Sequence, residues 1–168
     1  MGDAVNLADV DNLILAPALS MLPERMNTQA ARAMLLAIGL QESRFTHRRQ
    51  IRGPARGFWQ FEVAGVRGIL THRLTRQPIT EVLHRLQYQL NEATAIQPVL
   101  EHNDILAAAF ARLNLWWLPT RLPTATQPVQ AWEQYLETWR PGRPHPHTWE
   151  GFYQRAWRYL QTGEDSNA

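Results

Sequence analysis

The chain has 168 residues, enough for one domain with a real core, and a formal charge of only +2, which gives little support to a nucleic-acid-binding surface. It has no cysteine, so neither a disulfide framework nor thiolate chemistry is available. All 17 basic residues are arginine, a bias that genome composition can produce.

In chain order, residues 9–26 read as an amphipathic helix bent near Pro17. Thr28 is the expected N-cap of a second helix reaching about Ser43. Its stretch 33–38 is apolar on nearly every side, which predicts a central, buried helix. Gly39 would permit close approach by another backbone or by substrate. Residues 44–61 read as irregular, with Gly53-Pro54 and Gly57 as breakers, and 62–74 as a short helix. Thr80 is expected to cap a helix over 81–98, with Val82, Leu83, Leu86 and Leu90 on one face. Asp104 is expected to cap another over 105–117, ended by Pro119. A Pro/Thr-rich connection, 119–128, leads to a helix over 128–139, a turn at 140–144 and a last helix over 148–161. The reading is one all-α domain, 1–168, with frayed ends at 1–8 and 162–168.

Glu42 is the candidate proton donor. Apolar helix surface disfavours a charged carboxylate, and the C-terminal end of a helix carries partial negative charge; both hold a proton on the acid. Eighteen residues later, Gln60 ends the run Gly57-Phe58-Trp59-Gln60, which offers flat apolar surface and an amide that both donates and accepts. Standing alone, a glutamate at a helix end is more often a solvated charge.

The segment Gln41-Glu42-Ser43-Arg44-Phe45, followed by Gly53-Pro54-Ala55-Arg56-Gly57-Phe58-Trp59-Gln60, resembles the catalytic segment of lytic transglycosylases. There, Glu-Ser-x-Phe is followed by Gly-Ala-x-Gly-Leu-Met-Gln at the same spacing. Goose-type lysozymes share that family's fold. The resemblance covers residues 35–61, about a sixth of the chain. It implies a lysozyme-like helical domain with a short irregular or hairpin segment beside the cleft. It also implies cleavage of the β-1,4 bond between N-acetylmuramic acid and N-acetylglucosamine, without metal or cofactor. One glutamate protonates the leaving oxygen, then accepts the proton of the muramic 6-hydroxyl as it closes onto C1. No water is activated, so the two carboxylates of ordinary glycosidases are not required.

By the same resemblance, Ser43 and Gln60 match positions that contact substrate or orient the glutamate. Trp59 is either a sugar platform or a core residue. The family's Tyr-Asn-x-Gly segment has its nearest counterpart in Ala109-Phe110-Ala111-Arg112, where Phe110 keeps the ring and loses the hydroxyl. Tyr88 is the candidate to supply a hydroxyl from another helix. Ile51 stands where the family often has a small polar residue, and Gly53-Pro54 replaces Ala-Gly. Glu62, if it faces the cleft, would activate water and make a lysozyme; otherwise it is a surface charge. Asp104 needs no role beyond capping.

Arg44, Arg48, Arg49, Arg52 and Arg56 have no acidic residue among them. Any of them close to Glu42 would weaken it as an acid, so they must point away or toward carboxylates of the substrate's peptides. The seven tryptophans read mostly as core, with one or two expected in a cleft. His145-Pro146-His147 is too small a cluster for a metal site. The implied partner is the peptidoglycan glycan strand, with no nucleic acid. The run 13–19 is too short to span a membrane, and residues 1–5 lack the basic stretch of a signal peptide. A wall enzyme made in the cytoplasm without a signal would act through phage lysis, a virion or a secretion apparatus. A non-catalytic glycan-binding or structural part of such a particle or machine is the alternative.

Overall fold

Two apolar helices organise the chain. In the computed structural model, which describes residues 6–165, they are α3 (Gln29–Ser43) and α7 (Asp104–Trp116). Residues 33–40 and 106–115 are buried without a break, so neither helix has a solvent face along those stretches. Thr28 caps α3 as expected, its hydroxyl accepting from the Ala31 amide at 3.1 Å. The other helices surround this pair, and the fold is all-α.

The N-terminal run divides around Pro17. α1 (Leu7–Val10) passes through a π-turn, Asp11–Leu15, into α2 (Ala16–Ser20). The Ala16 amide reaches back five residues to the Asp11 carbonyl, which accommodates a proline that has no amide of its own to donate. The helix therefore stops at Ser20 rather than continuing to 26; a 3₁₀ turn, Glu24–Met26, follows separately. At the expected frayed ends, Leu7 already opens α1, and Asp165 holds both the Leu7 amide and the Arg155 guanidinium. Asn6 caps α1 and Gly163 closes α9, so these ends are ordered as far as they are described; residues 1–5 and 166–168 lie outside the described residues.

After α4 (Val63–Thr71), the helix expected over 81–98 is replaced by two shorter ones. α5 is Arg76–Arg85, and Thr80 lies within it, its hydroxyl bonded to the Arg76 carbonyl. α5 ends because Gln87 turns left-handed, at φ 62°, and the Tyr88 and Gln87 amides fold back onto Leu83 and His84. α6 (Ala93–Ile96) then leads into a 3₁₀ turn, Gln97–Glu101. Asn103, not Asp104, caps α7, accepting from the Leu106 amide at 2.9 Å. That leaves Asp104 free to take both nitrogens of Arg48 at 2.8 and 2.7 Å. α8 (Pro128–Trp139) and α9 (Pro146–Thr162) complete the order, and α9 lies along α3.

The loop between α3 and α4 is irregular but firmly tied. Its extended pairing consists of isolated bridges, Arg49 with Arg56 and Arg56 with Phe61. Gly57 sits at φ 78°, and a β-carbon there would meet the Leu100 carbonyl oxygen at 2.8 Å. The buried Gln97 amide donates to the carbonyls of Pro54 (2.8 Å) and Phe61 (2.9 Å). Gly39 makes room for the Phe45 ring, which packs where a β-carbon would stand.

Candidate functional site

Glu42 is the penultimate residue of α3 and lines a groove of about 1100 Å³. The groove runs between the α3–α4 loop, α4, the end of α8 and the α8–α9 turn. Burial pushes the Glu42 carboxyl up from 4.5 to about 7, and a hydrogen bond from Tyr135 pulls the other way with less effect. The Tyr135 hydroxyl donates to Glu42 Oε1 at 2.6 Å. Burial first, then the adjacent carboxylate, raises the Tyr135 phenol above its ordinary value, so it remains a donor at neutral pH. Oε1 is thus occupied, and Oε2 is the oxygen left to exchange a proton with a ligand.

Tyr135 is the residue that sequence reasoning missed. It lies on α8, far from the motif in sequence, and is fixed by ring packing rather than by a local pattern. Its ring stacks on Trp149 of α9 at 5.1 Å between centroids and 12° between planes. Trp149 in turn stacks on Tyr153 at 5.9 Å and 18°. The available signal was the helical spacing of the aromatics at 132, 135 and 139 and at 149, 152 and 153, which reads as a core face and does not single out one hydroxyl.

The two expected substitutes lie elsewhere. Phe110 is fully buried in the core beside Phe61. Its neighbour Arg112 is also buried and donates to the Met26 carbonyl, so the 109–112 segment belongs to the core. The Tyr88 hydroxyl accepts from Asn103 Nδ2 at 3.1 Å at the start of α7.

Of the motif residues, Gln60 joins Glu42 in the groove. It is held at φ 53°, with Nε2 donating to the Gly57 carbonyl at 2.8 Å. Ser43 and Trp59 face inward. The buried Ser43 hydroxyl donates to the Phe58 carbonyl at 2.7 Å and accepts from the Phe45 amide at 3.1 Å. Trp59 is fully buried, its indole nitrogen bonded to the Leu35 carbonyl at 2.9 Å, and no face of it is open to a sugar. Its own carbonyl accepts from Trp139 Nε1 at 2.8 Å. The tryptophans that do line the groove are Trp117 and Trp139.

The arginines of the loop leave Glu42 alone. Arg44 stacks on Phe152 at 4.1 Å, Arg48 binds Asp104 and lies over Phe58 at 4.2 Å, and Arg49 and Arg56 share Glu101. A cation beside Glu42 would have stabilised the carboxylate and lowered its pKa. Glu62 does line the groove, exposed at the start of α4.

No family model, curated protein or solved structure matches this chain. No helix among the described residues is long and apolar enough to cross a membrane. The groove brings together a carboxyl whose pKa burial raises to about 7, a phenol fixed on one of its oxygens, an amide and two indoles. Such a set can donate a proton to a ligand oxygen and take one back.

Proposed function

We propose that this protein cleaves peptidoglycan glycan strands as a lytic transglycosylase, with Glu42 as acid and then base. The observation that carries the proposal is the Glu42 carboxyl, raised to about 7 in a groove and held by Tyr135. At neutral pH roughly half of such a carboxyl is protonated, so either half of a proton shuttle starts from a populated state. In the first half, Oε2 gives its proton to the glycosidic oxygen and the C1–O bond breaks. In the second, the carboxylate takes the proton of the muramic 6-hydroxyl while that oxygen bonds to C1. The proton count is then restored and no water is consumed. Tyr135 holds the carboxyl in one orientation through both halves, and its bond strengthens when the carboxylate forms. Gln60, Trp117 and Trp139 are the groove residues suited to amide groups and sugar faces.

Glu62 favours a second reading. It lines the same groove, so a hydrolase that activates water through Glu62 would use the same substrate and the same acid. Mass spectrometry of soluble products from purified peptidoglycan separates the two. Anhydro-muropeptides that disappear with Glu42→Gln support the transglycosylase. Reducing ends that also need Glu62 would replace it with the lysozyme. No cleavage by the folded protein would refute both, leaving a non-catalytic glycan-binding or structural part.

A further inference from the structure

Beyond Glu42, the groove carries an arginine pair that glycan cleavage alone does not require. Arg140 and Arg143 line it from the α8–α9 turn. The turn is built to hold still. Pro141, Pro144 and Pro146 restrict its backbone. Gln41, the residue before Glu42, clamps its far end: Nε2 donates to the His145 carbonyl at 3.0 Å, and Oε1 accepts from the Thr148 hydroxyl at 2.9 Å.

The two guanidinium groups have capacity to spare. Arg143 is exposed and makes no hydrogen bond or ion pair among the described residues. Arg140 donates through Nε to the Glu137 carbonyl at 3.2 Å, which leaves both terminal nitrogens open. Both arginines line the groove with only two carboxyl residues among its walls: Glu42, with one oxygen held by Tyr135 and its pKa raised by burial, and Glu62 on α4. Three of the five loop arginines behave differently, since Arg48, Arg49 and Arg56 are paired with Asp104 or Glu101. A planar guanidinium fork matches a carboxylate in two parallel hydrogen bonds, and a fixed turn lowers the entropy lost in making them.

We infer that the 140–145 turn is a carboxylate-recognition element that selects glycan strands still bearing their peptide stems. The inference rests on the glycan-cleavage reading and deepens it: a muramic residue carries its peptide on the lactyl group, and the stem ends in carboxylates. The arginines at the groove, neither in an ion pair among the described residues, offer those carboxylates a partner in the groove where Glu42 would protonate the glycosidic oxygen. Phosphate on wall polymers shares this anion chemistry, so the test must separate the two.

The experiment measures binding of the Glu42→Gln protein to three soluble probes: glycan strands with intact stems, the same strands with stems removed by an amidase and the lactyl carboxyl this frees capped as an amide, and a polyol-phosphate polymer. Strands with stems should bind about ten-fold tighter than bare strands. That ratio should fall toward one when Arg140→Gln and Arg143→Gln are added, and recover in part with Arg143→Lys. It should also shrink between roughly 50 mM and roughly 500 mM salt in the protein without arginine changes, a readout that does not depend on the variants folding. Equal binding of the two strands would overturn the inference, as would a ratio unchanged by the arginine substitutions. Tighter binding of the phosphate polymer than of stem-bearing strands would assign the arginines to phosphate instead. Cleavage is read separately with Glu42 intact: no product from either strand would refute glycan cleavage, while the binding ratio still decides the role of the turn.

Discussion

Glu42 and Ser43 are neighbours in the chain and do opposite jobs. One helical step separates them, and that step turns Glu42 toward the groove and Ser43 into the interior. On the Glu42 side a polar atom is left uncommitted and a carboxyl is held away from its ordinary pKa. On the Ser43 side the hydroxyl, the Phe58 carbonyl and the Phe45 amide are mutually satisfied, and Trp59 finds its own acceptor. A motif that reads as one unit is thus a groove face backed by a packed scaffold. The groove face holds a carboxyl away from its ordinary pKa at a cost in stability, and the scaffold supplies the rigidity that keeps it there.

Substitutions on the two sides should separate cleanly. The largest effect is expected from Glu42→Gln, which should lower glycan cleavage by at least about 10³-fold, read as product formation on purified peptidoglycan. The same change should make the fold more stable at alkaline pH. The folded protein binds the Glu42 proton up to about 7 and the unfolded chain only to 4.5, so stability falls as pH rises through that window. The difference between wild type and Glu42→Gln should be small below pH 4.5 and grow to roughly 2–3 kcal/mol at pH 8, allowing for the partial exposure of the carboxyl. Denaturant melts at the two pH values measure it.

On the scaffold side, Trp59→Ala should cost about 3–5 kcal/mol of stability, since it empties a fully buried site and removes the indole's hydrogen bond to the Leu35 carbonyl. An unchanged melting temperature would mean that Trp59 is not core. Tyr135→Phe should lower cleavage by roughly 10–100-fold and move the alkaline limb of the rate profile upward, because the bond that lowers the Glu42 pKa is lost. A limb that moves downward would contradict the assigned role of the phenol. The smallest effect should come from Ser43→Ala, at about 1–3 kcal/mol of stability with KM for glycan strands unchanged. A raised KM with unchanged stability would return Ser43 to substrate contact.

The long-range geometry explains what sequence could and could not convey. The apolar runs of α3 and α7 and the threonine cap at residue 28 are local patterns, and the structure follows them. The split of 81–98 was invisible because it depends on Gln87 adopting a left-handed turn, which glutamine seldom marks. The cap expected at Asp104 falls one residue earlier, on Asn103, while Asp104 pairs with Arg48, a contact between distant segments that no local pattern marks. At the site, Glu42 and Gln60 were legible because their spacing is local. Tyr135 was not, because its hydroxyl reaches Glu42 only after α8 packs through the Trp149 stack.

The most direct test of the central claim is a carboxyl-detected NMR titration of Glu42 in selectively labelled protein. The groove should hold the proton to a midpoint near 7, and Tyr135→Phe should move that midpoint higher. A midpoint near 4.5 would mean that the carboxyl is solvated and ionised at neutral pH, and would contradict its role as the acid.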